Sequence, residues 1–167
     1  YSIIVRNGRI IDGTGSNKLY RADIGIRDDR VHDIGDLSTS RGEVEIEALN
    51  KYIAPGFVDI TNHSDTHWTI FDIPKLDSLL MQGITTIIGG NCGTSLAPLV
   101  SGSEIEAIQK WTDTSSINVG WQSVEEYLNQ IEKNKIGVNF GTLIGFGTLR
   151  RCAVRKADKG ADATEIE

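Results

Sequence analysis

Two short segments of the 167-residue chain carry side chains that bind divalent metals. In Thr61-Asn62-His63-Ser64-Asp65, His63 offers an imidazole nitrogen and Asp65 a carboxylate; in Asn91-Cys92-Gly93, Cys92 offers a thiolate. Imidazole and thiolate together favour zinc over magnesium or calcium, because softer donors suit the borderline ion. Each segment follows a run that reads as a β-strand, at 57–60 and 84–88. In parallel α/β folds, reactive groups gather where strand ends and their loops converge on one rim. A third strand end, Gly145-Phe146-Gly147, adds no metal-binding group. His67 follows His63 by four residues, but Trp68 and Ile70 beside it indicate a packed loop. His32 stands among charged neighbours in a strand and reads as a structural residue.

The elements that must position these groups fall into two patterns. Residues 2–47 form short β-rich runs between polar turns, with no sustained helical period. Runs 2–6 and 9–12 flank Asn7-Gly8, a pair that tolerates φ > 0 and predicts a tight hairpin. Runs 22–27 and 30–34 repeat the unit around Asp28-Asp29, and 43–46 alternates as a strand with one solvated face should. These strands suit the N-terminal part of a small β-sandwich, over residues 1–53.

At Ala54-Pro55-Gly56 the pattern changes to apolar strands alternating with helices, the signature of βα units around a parallel sheet. A helix is expected with Pro74 in its first turn, Leu76, Leu79 and Leu80 on its apolar face, and Gly83 as its stop. Ser103 with Glu106, and Ser123 with Glu126, match the S-x-x-E capping pattern. Val124, Tyr127, Leu128 and Ile131 make one apolar stripe after the second of these. A third strand is expected over 137–144, and Thr164 followed by acidic residues opens another helix. A (β/α)8 barrel takes about 250 residues, so residues 54–167 are expected to be the first βα units of an incomplete TIM-like barrel. The missing C-terminal part of that barrel is then a required partner.

With 17 Lys+Arg against 23 Asp+Glu, the net charge is −6. No basic cluster offers a footprint for nucleic acid or an anionic membrane surface, and no apolar run approaches the roughly 20 residues of a bilayer span. Two cysteines without a disulfide framework suit a reducing cytoplasm, and Tyr1 opens the chain without a signal peptide.

Several segments resemble one family. Ala54-Pro55-Gly56-Phe57-Val58-Asp59-Ile60, His63-Ser64-Asp65, Gln82-Gly83-Ile84-Thr85-Thr86, Gly90-Asn91-Cys92-Gly93 with Ala97-Pro98, and Gly145-x-Gly147-Thr148-Leu149-Arg150 are similar to the N-acyl-D-amino-acid deacylases (D-aminoacylases) of the amidohydrolase superfamily. The opening Val5-x-Asn7-Gly8-x-Ile10-x-Asp12-Gly13-Thr14-Gly15 fits as well. The resemblance implies a zinc-dependent hydrolase that removes the acyl group from an N-acylated D-amino acid, a small-molecule substrate. Cys92 matches the metal cysteine, and His63 the second histidine of a His-x-His pair. Asp65 and Asn91 are then substrate contacts or supports of the metal ligands. The remaining histidines and the aspartate acting as general acid/base are expected beyond Glu167, so none of the catalytic acid/base machinery is expected in this chain.

Two positions depart from the family pattern. Thr61 stands where the first histidine of His-x-His belongs, and a hydroxyl is a poor zinc ligand; Phe146 stands where a histidine usually precedes Thr-Leu-Arg. These departures leave open a non-catalytic scaffold on the same frame. A cyclic-amide hydrolase of the dihydroorotase type shares the plan, but the Asn91-Cys92-Gly93 element speaks against it.

Overall fold

The computed structural model describes residues 1–16, 18–100, 119–154 and 160–166. It divides into two units, Tyr1–Pro55 and Gly56–Glu167.

The first unit is a single mixed sheet of five strands: β1 (Ile3–Ile10), β2 (Tyr20–Arg27), β3 (Arg30–Gly35), β4 (Val44–Glu47) and β5 (Tyr52–Ile53). Its order is β3-β2-β1-β4, with β5 also alongside β1. Among the described residues these strands make one layer. The hairpin around Asp28-Asp29 forms, both residues taking the left-handed conformation (φ 50° and 61°) that a tight antiparallel turn needs. The hairpin expected at Asn7-Gly8 does not. Asn7 has φ 60°, but β1 continues through it with a register shift between Val5 and Gly8. Polar partners explain the difference: Asp23 accepts the Asn7 N–H at 2.8 Å, and Asn7 Nδ2 donates to Glu47 at 3.0 Å. An irregularity held from both sides is a bulge rather than a reversal.

The second unit carries three parallel strands, β6 (Phe57–Asp59), β7 (Ile84–Gly89) and β8 (Asn139–Thr142), in the order β6-β7-β8. Three strands form an open sheet, so a closed barrel is not formed by the described residues. The helix expected from Pro74 to Gly83 forms only as the short α2 (Asp77–Leu80), and a separate turn, α1 (Thr69–Asp72), precedes the proline. Ile73, immediately before Pro74, sits at φ −131°, ψ 65°, outside the helical region that a following proline disfavours. Leu76 then takes φ 50° and is buried, restarting the chain as α2. Gly83, at φ 80°, ends this segment as expected. The core gathers Trp68, Ile70, Leu76, Ile87, Trp121 and Tyr127.

Helix α3 (Val124–Asn134) starts on a complete capping box, Ser123 Oγ accepting the Glu126 N–H at 3.1 Å and Glu126 accepting the Ser123 N–H at 3.1 Å. Its Tyr127 and Ile131 are buried, as the stripe requires, whereas Leu128 is partly exposed. The other capping pattern, Ser103 with Glu106, lies outside the described residues. The Gln122 and Ser123 N–H groups hold the Glu126 carboxyl below its ordinary value of 4.5. Because the folded-state pKa is depressed, the cap is at full strength above that ordinary value and weakens as pH falls through the folded one. Glu126→Gln is expected to flatten this part of the acid dependence, read from denaturation midpoints taken from neutral pH down through the glutamate range. Helix α4 (Phe146–Ala153) follows β8 with Gly145 as its N-cap. Among the described residues no helix is long and apolar enough to cross a membrane.

Candidate metal centre

The loop after β6 is folded by its own short polar side chains. Asp59, the last residue of β6, accepts the Thr61 N–H at 3.1 Å and Asn62 Nδ2 at 2.8 Å. Asn62 Oδ1 in turn accepts the Ser64 N–H at 2.8 Å. Side chains that mimic backbone turns in this way fix a loop without a regular ladder. The donors on Asp59 hold its carboxyl below the ordinary aspartate range. The His67 N–H donates to the His63 carbonyl at 3.0 Å, closing the turn that presents the His63 ring.

The loop after β7 runs through left-handed backbone, with Gly90 at φ 73°, Cys92 at 55° and Gly93 at 75°. Two of these are glycines and adopt it freely. Cys92 is not, and its Cβ bears the strain of that conformation, which the surrounding loop must hold. Asn91 closes the loop inward: its Nδ2 donates to the Ile88 carbonyl at 2.7 Å and to the Asn62 carbonyl at 3.3 Å.

These loops bring the exposed Cys92 Sγ to 3.6 Å from His63 Nε2. Zinc bonds of about 2.3 Å to sulfur and 2.0 Å to nitrogen at a tetrahedral angle set two ligand atoms about 3.5 Å apart. The spacing therefore fits two ligands of one zinc ion. Among the described residues no His, Cys, Asp or Glu joins them as a third member of such a group. His67 meets His63 edge to face, ring centres 6.5 Å apart.

No family model matches the chain. Curated relatives do, over almost all of it: a D-aminoacylase of Alcaligenes xylosoxydans xylosoxydans is 29% identical over 99% of the chain and 33% of its own length. An N-acyl-D-glutamate deacylase of the same organism is 32% identical over 92% of the chain and 30% of its own length. The fold agrees. A D-aminoacylase structure is 31% identical with a TM-score of 0.86, covering 99% of this chain and 34% of that one. That enzyme has a binuclear metal centre with one-metal activation and second-metal attenuation. N-acyl-D-glutamate deacylase from Bordetella bronchiseptica, complexed with zinc and a phosphonate inhibitor mimicking the tetrahedral intermediate, is 32% identical with a TM-score of 0.81 over 98% of this chain and 33% of that one. The chain belongs to the N-acyl-D-amino-acid deacylase family. It spans about a third of the length of these relatives. An L-hydantoinase, at 22% identity and a TM-score of 0.55, shares the fold alone.

The deacylase motif Gly145-x-Gly147-Thr148 now has a physical account. Gly147 N–H donates to the Gly93 carbonyl at 2.8 Å, and Gly145 N–H to Ser95 Oγ at 3.0 Å. Thr148 Oγ1 accepts the Ser95 N–H at 2.9 Å and donates back to the Ser95 carbonyl at 3.1 Å. A Cβ on Gly145 or Gly147 would press into the Gly93 peptide. The third strand end thus braces the far side of the cysteine loop, a role that Ser95 and Thr148 gave no sign of in the sequence. Asn62 and Asp59 were equally silent, although Asn62 between a strand end and Ser64 is a turn-forming residue by type. Of the expected site residues, Cys92 and His63 are brought together. Asn91 is turned toward backbone carbonyls, and Asp65 is buried beneath the rim, 1% exposed. Burial pushes the Asp65 carboxyl above the ordinary aspartate range, against the pull of the Gly90 N–H that it accepts at 2.7 Å. Thr61 is exposed, and Phe146 projects from the start of α4 with 76% of its surface exposed.

Proposed function

We propose that these residues belong to a zinc-dependent amidohydrolase that removes the acyl group from N-acylated D-amino acids, with Cys92 and His63 as metal ligands. The observation that supports this most is the 3.6 Å between Cys92 Sγ and His63 Nε2. When bound there, zinc supplies Lewis-acid polarisation of the amide carbonyl and acidifies water to a pKa of about 7. The chain's own residues do the rest of the work on this side of the site. The Cys92 thiolate gives the metal a soft anionic ligand, which a serine could not. The Asp59–Asn62 turn holds the His63 loop, and Asn91 ties the Cys92 loop to it. A free Cys92 thiol needs a reducing surrounding, which suits a cytoplasmic enzyme. Hydantoinases are more distant in both sequence coverage and fold than the deacylases, and the cyclic-amide reading gains nothing specific from them.

The test is metal content and hydrolysis together. Joined to the remainder that its relatives carry, the protein is expected to hold about one zinc per chain and to release free D-amino acid from N-acyl-D-amino acids. Chelation should stop the reaction and zinc should restore it. A folded protein of that length without metal and without hydrolysis would instead be a scaffold on the amidohydrolase frame. Residues 1–167 alone are expected to bind zinc weakly and to leave the substrates intact, since two ligands hold a catalytic metal poorly.

Thr61 supports a single-metal centre. In the D-aminoacylase described above a second metal attenuates activity; with threonine at 61, excess zinc is expected to change the rate little. Thr61→His should raise zinc content toward about two per chain and make the rate sensitive to excess metal. A wild-type protein already holding two zinc ions would overturn this reading of Thr61.

A further inference from the structure

We propose that Asp65 is a positioning residue whose carboxylate sets the Cys92 loop against His63 so that the two can share a metal; this rests on the metal reading above. The placement is symmetrical about the ligand pair. Asp65 lies two residues after His63, and the N–H that it accepts, at 2.7 Å, belongs to Gly90, two residues before Cys92. One hydrogen bond therefore spans the two loops directly beneath their ligands. The left-handed course of the cysteine loop begins at Gly90 itself, at φ 73°. Fixing its N–H fixes the peptide from which Asn91 and Cys92 continue.

Burial separates this role from the alternatives. At 1% exposure the carboxylate reaches no substrate, and it is not a third ligand, because no such group of three exists among the described residues. The chain makes room for it at a specific point: a Cβ on Gly89 would lie 2.6 Å from Asp65 Oδ2. The other tie between the loops, Asn91 Nδ2 to the Asn62 carbonyl, is longer at 3.3 Å and only partly buried. A charged acceptor makes the shorter and stronger of two such bonds, and partners that orient metal ligands carry about a 10- to 100-fold effect on metal affinity.

In the full-length protein, cobalt(II) binding, followed by its thiolate charge-transfer absorption, reads out Cys92 as a ligand without requiring activity. Asp65→Ala is expected to lose about 10- to 100-fold in cobalt affinity while retaining the wild-type circular dichroism. Asp65→Asn keeps the shape and an acceptor for Gly90 and should fall between the two, whereas Asp65→Leu, which fills the space without an acceptor, should lose as much as Asp65→Ala, a result that loss of packing alone would not produce. Equal cobalt affinity in folded wild type and Asp65→Ala would overturn the proposal while leaving the metal reading intact. Absence of the absorption in wild type would defeat both. Should the variants fail to fold, amide hydrogen exchange in the wild type decides: the Gly90 amide should be strongly protected, and exchange at the rate of an open loop would remove the clamp.

Discussion

In the full-length protein, Cys92→Ala is expected to bring bound zinc from about one per chain to background and to lower hydrolysis of N-acyl-D-amino acids by at least about 100-fold, the upper end of what losing even an outer partner of a metal ligand costs. Among the described residues the thiolate is the one soft, anionic donor at this rim, and nitrogen ligands without it hold the ion more weakly. The effect should be chemical rather than structural. Cys92 is exposed, packs into no core, and its hydrogen-bond-distance neighbour is His63 Nε2 at 3.6 Å. Alanine at φ 55° bears the same backbone strain as cysteine, so the denaturation midpoint should stay close to wild type. Metal content by elemental analysis, hydrolysis by release of free D-amino acid and stability by denaturant titration separate these claims. An undiminished rate would show that the metal is held elsewhere.

What the sequence disclosed, and what it withheld, follows the range of the forces involved. The three strands of the second unit were legible because β-branched runs such as Ile84-Thr85-Thr86-Ile87-Ile88 state their own conformation. The capping box at Ser123 and Glu126 was legible because both partners lie within one turn. The His63 and Cys92 loops could be placed on one rim once their strands were known to be parallel. The late start of the helix expected at Pro74 was hidden behind a favourable apolar spacing, because Leu76 leaves the helical region at φ 50° to be buried in a core that the local pattern does not show. The bulge at Asn7 was not legible, because it depends on Asp23 and Glu47, brought to it only by the folded sheet. For the same reason Asp65 read as a rim carboxylate. Its burial and its bond to Gly90 are decided 25 residues away, where no local pattern can register them.

Gly90→Ala should be the most damaging small substitution in the second unit, destabilising it by about 2–5 kcal/mol and removing zinc with it. Two costs combine at this position. An alanine at φ 73° bears left-handed strain of about 1–2 kcal/mol. Its Cβ would also fall on the Leu143 carbonyl oxygen, part of the backbone that leaves β8, which has no flexible end to swing aside. Relief requires either the β8 end to retreat, breaking the 2.8 Å brace from Gly147 to Gly93, or the Gly90 peptide to turn, withdrawing its N–H from Asp65. Either movement shifts Cys92 relative to His63. Gly15 in the first unit separates the two costs, because it has φ 79° but open space where a Cβ would stand. Gly15→Ala should therefore show the strain alone, about 1–2 kcal/mol, with metal binding unchanged. Denaturant titration and zinc content of the two variants make the comparison. If Gly90→Ala costs no more than Gly15→Ala and keeps its zinc, the cysteine loop is not held between Asp65 and the β8 end in the way described.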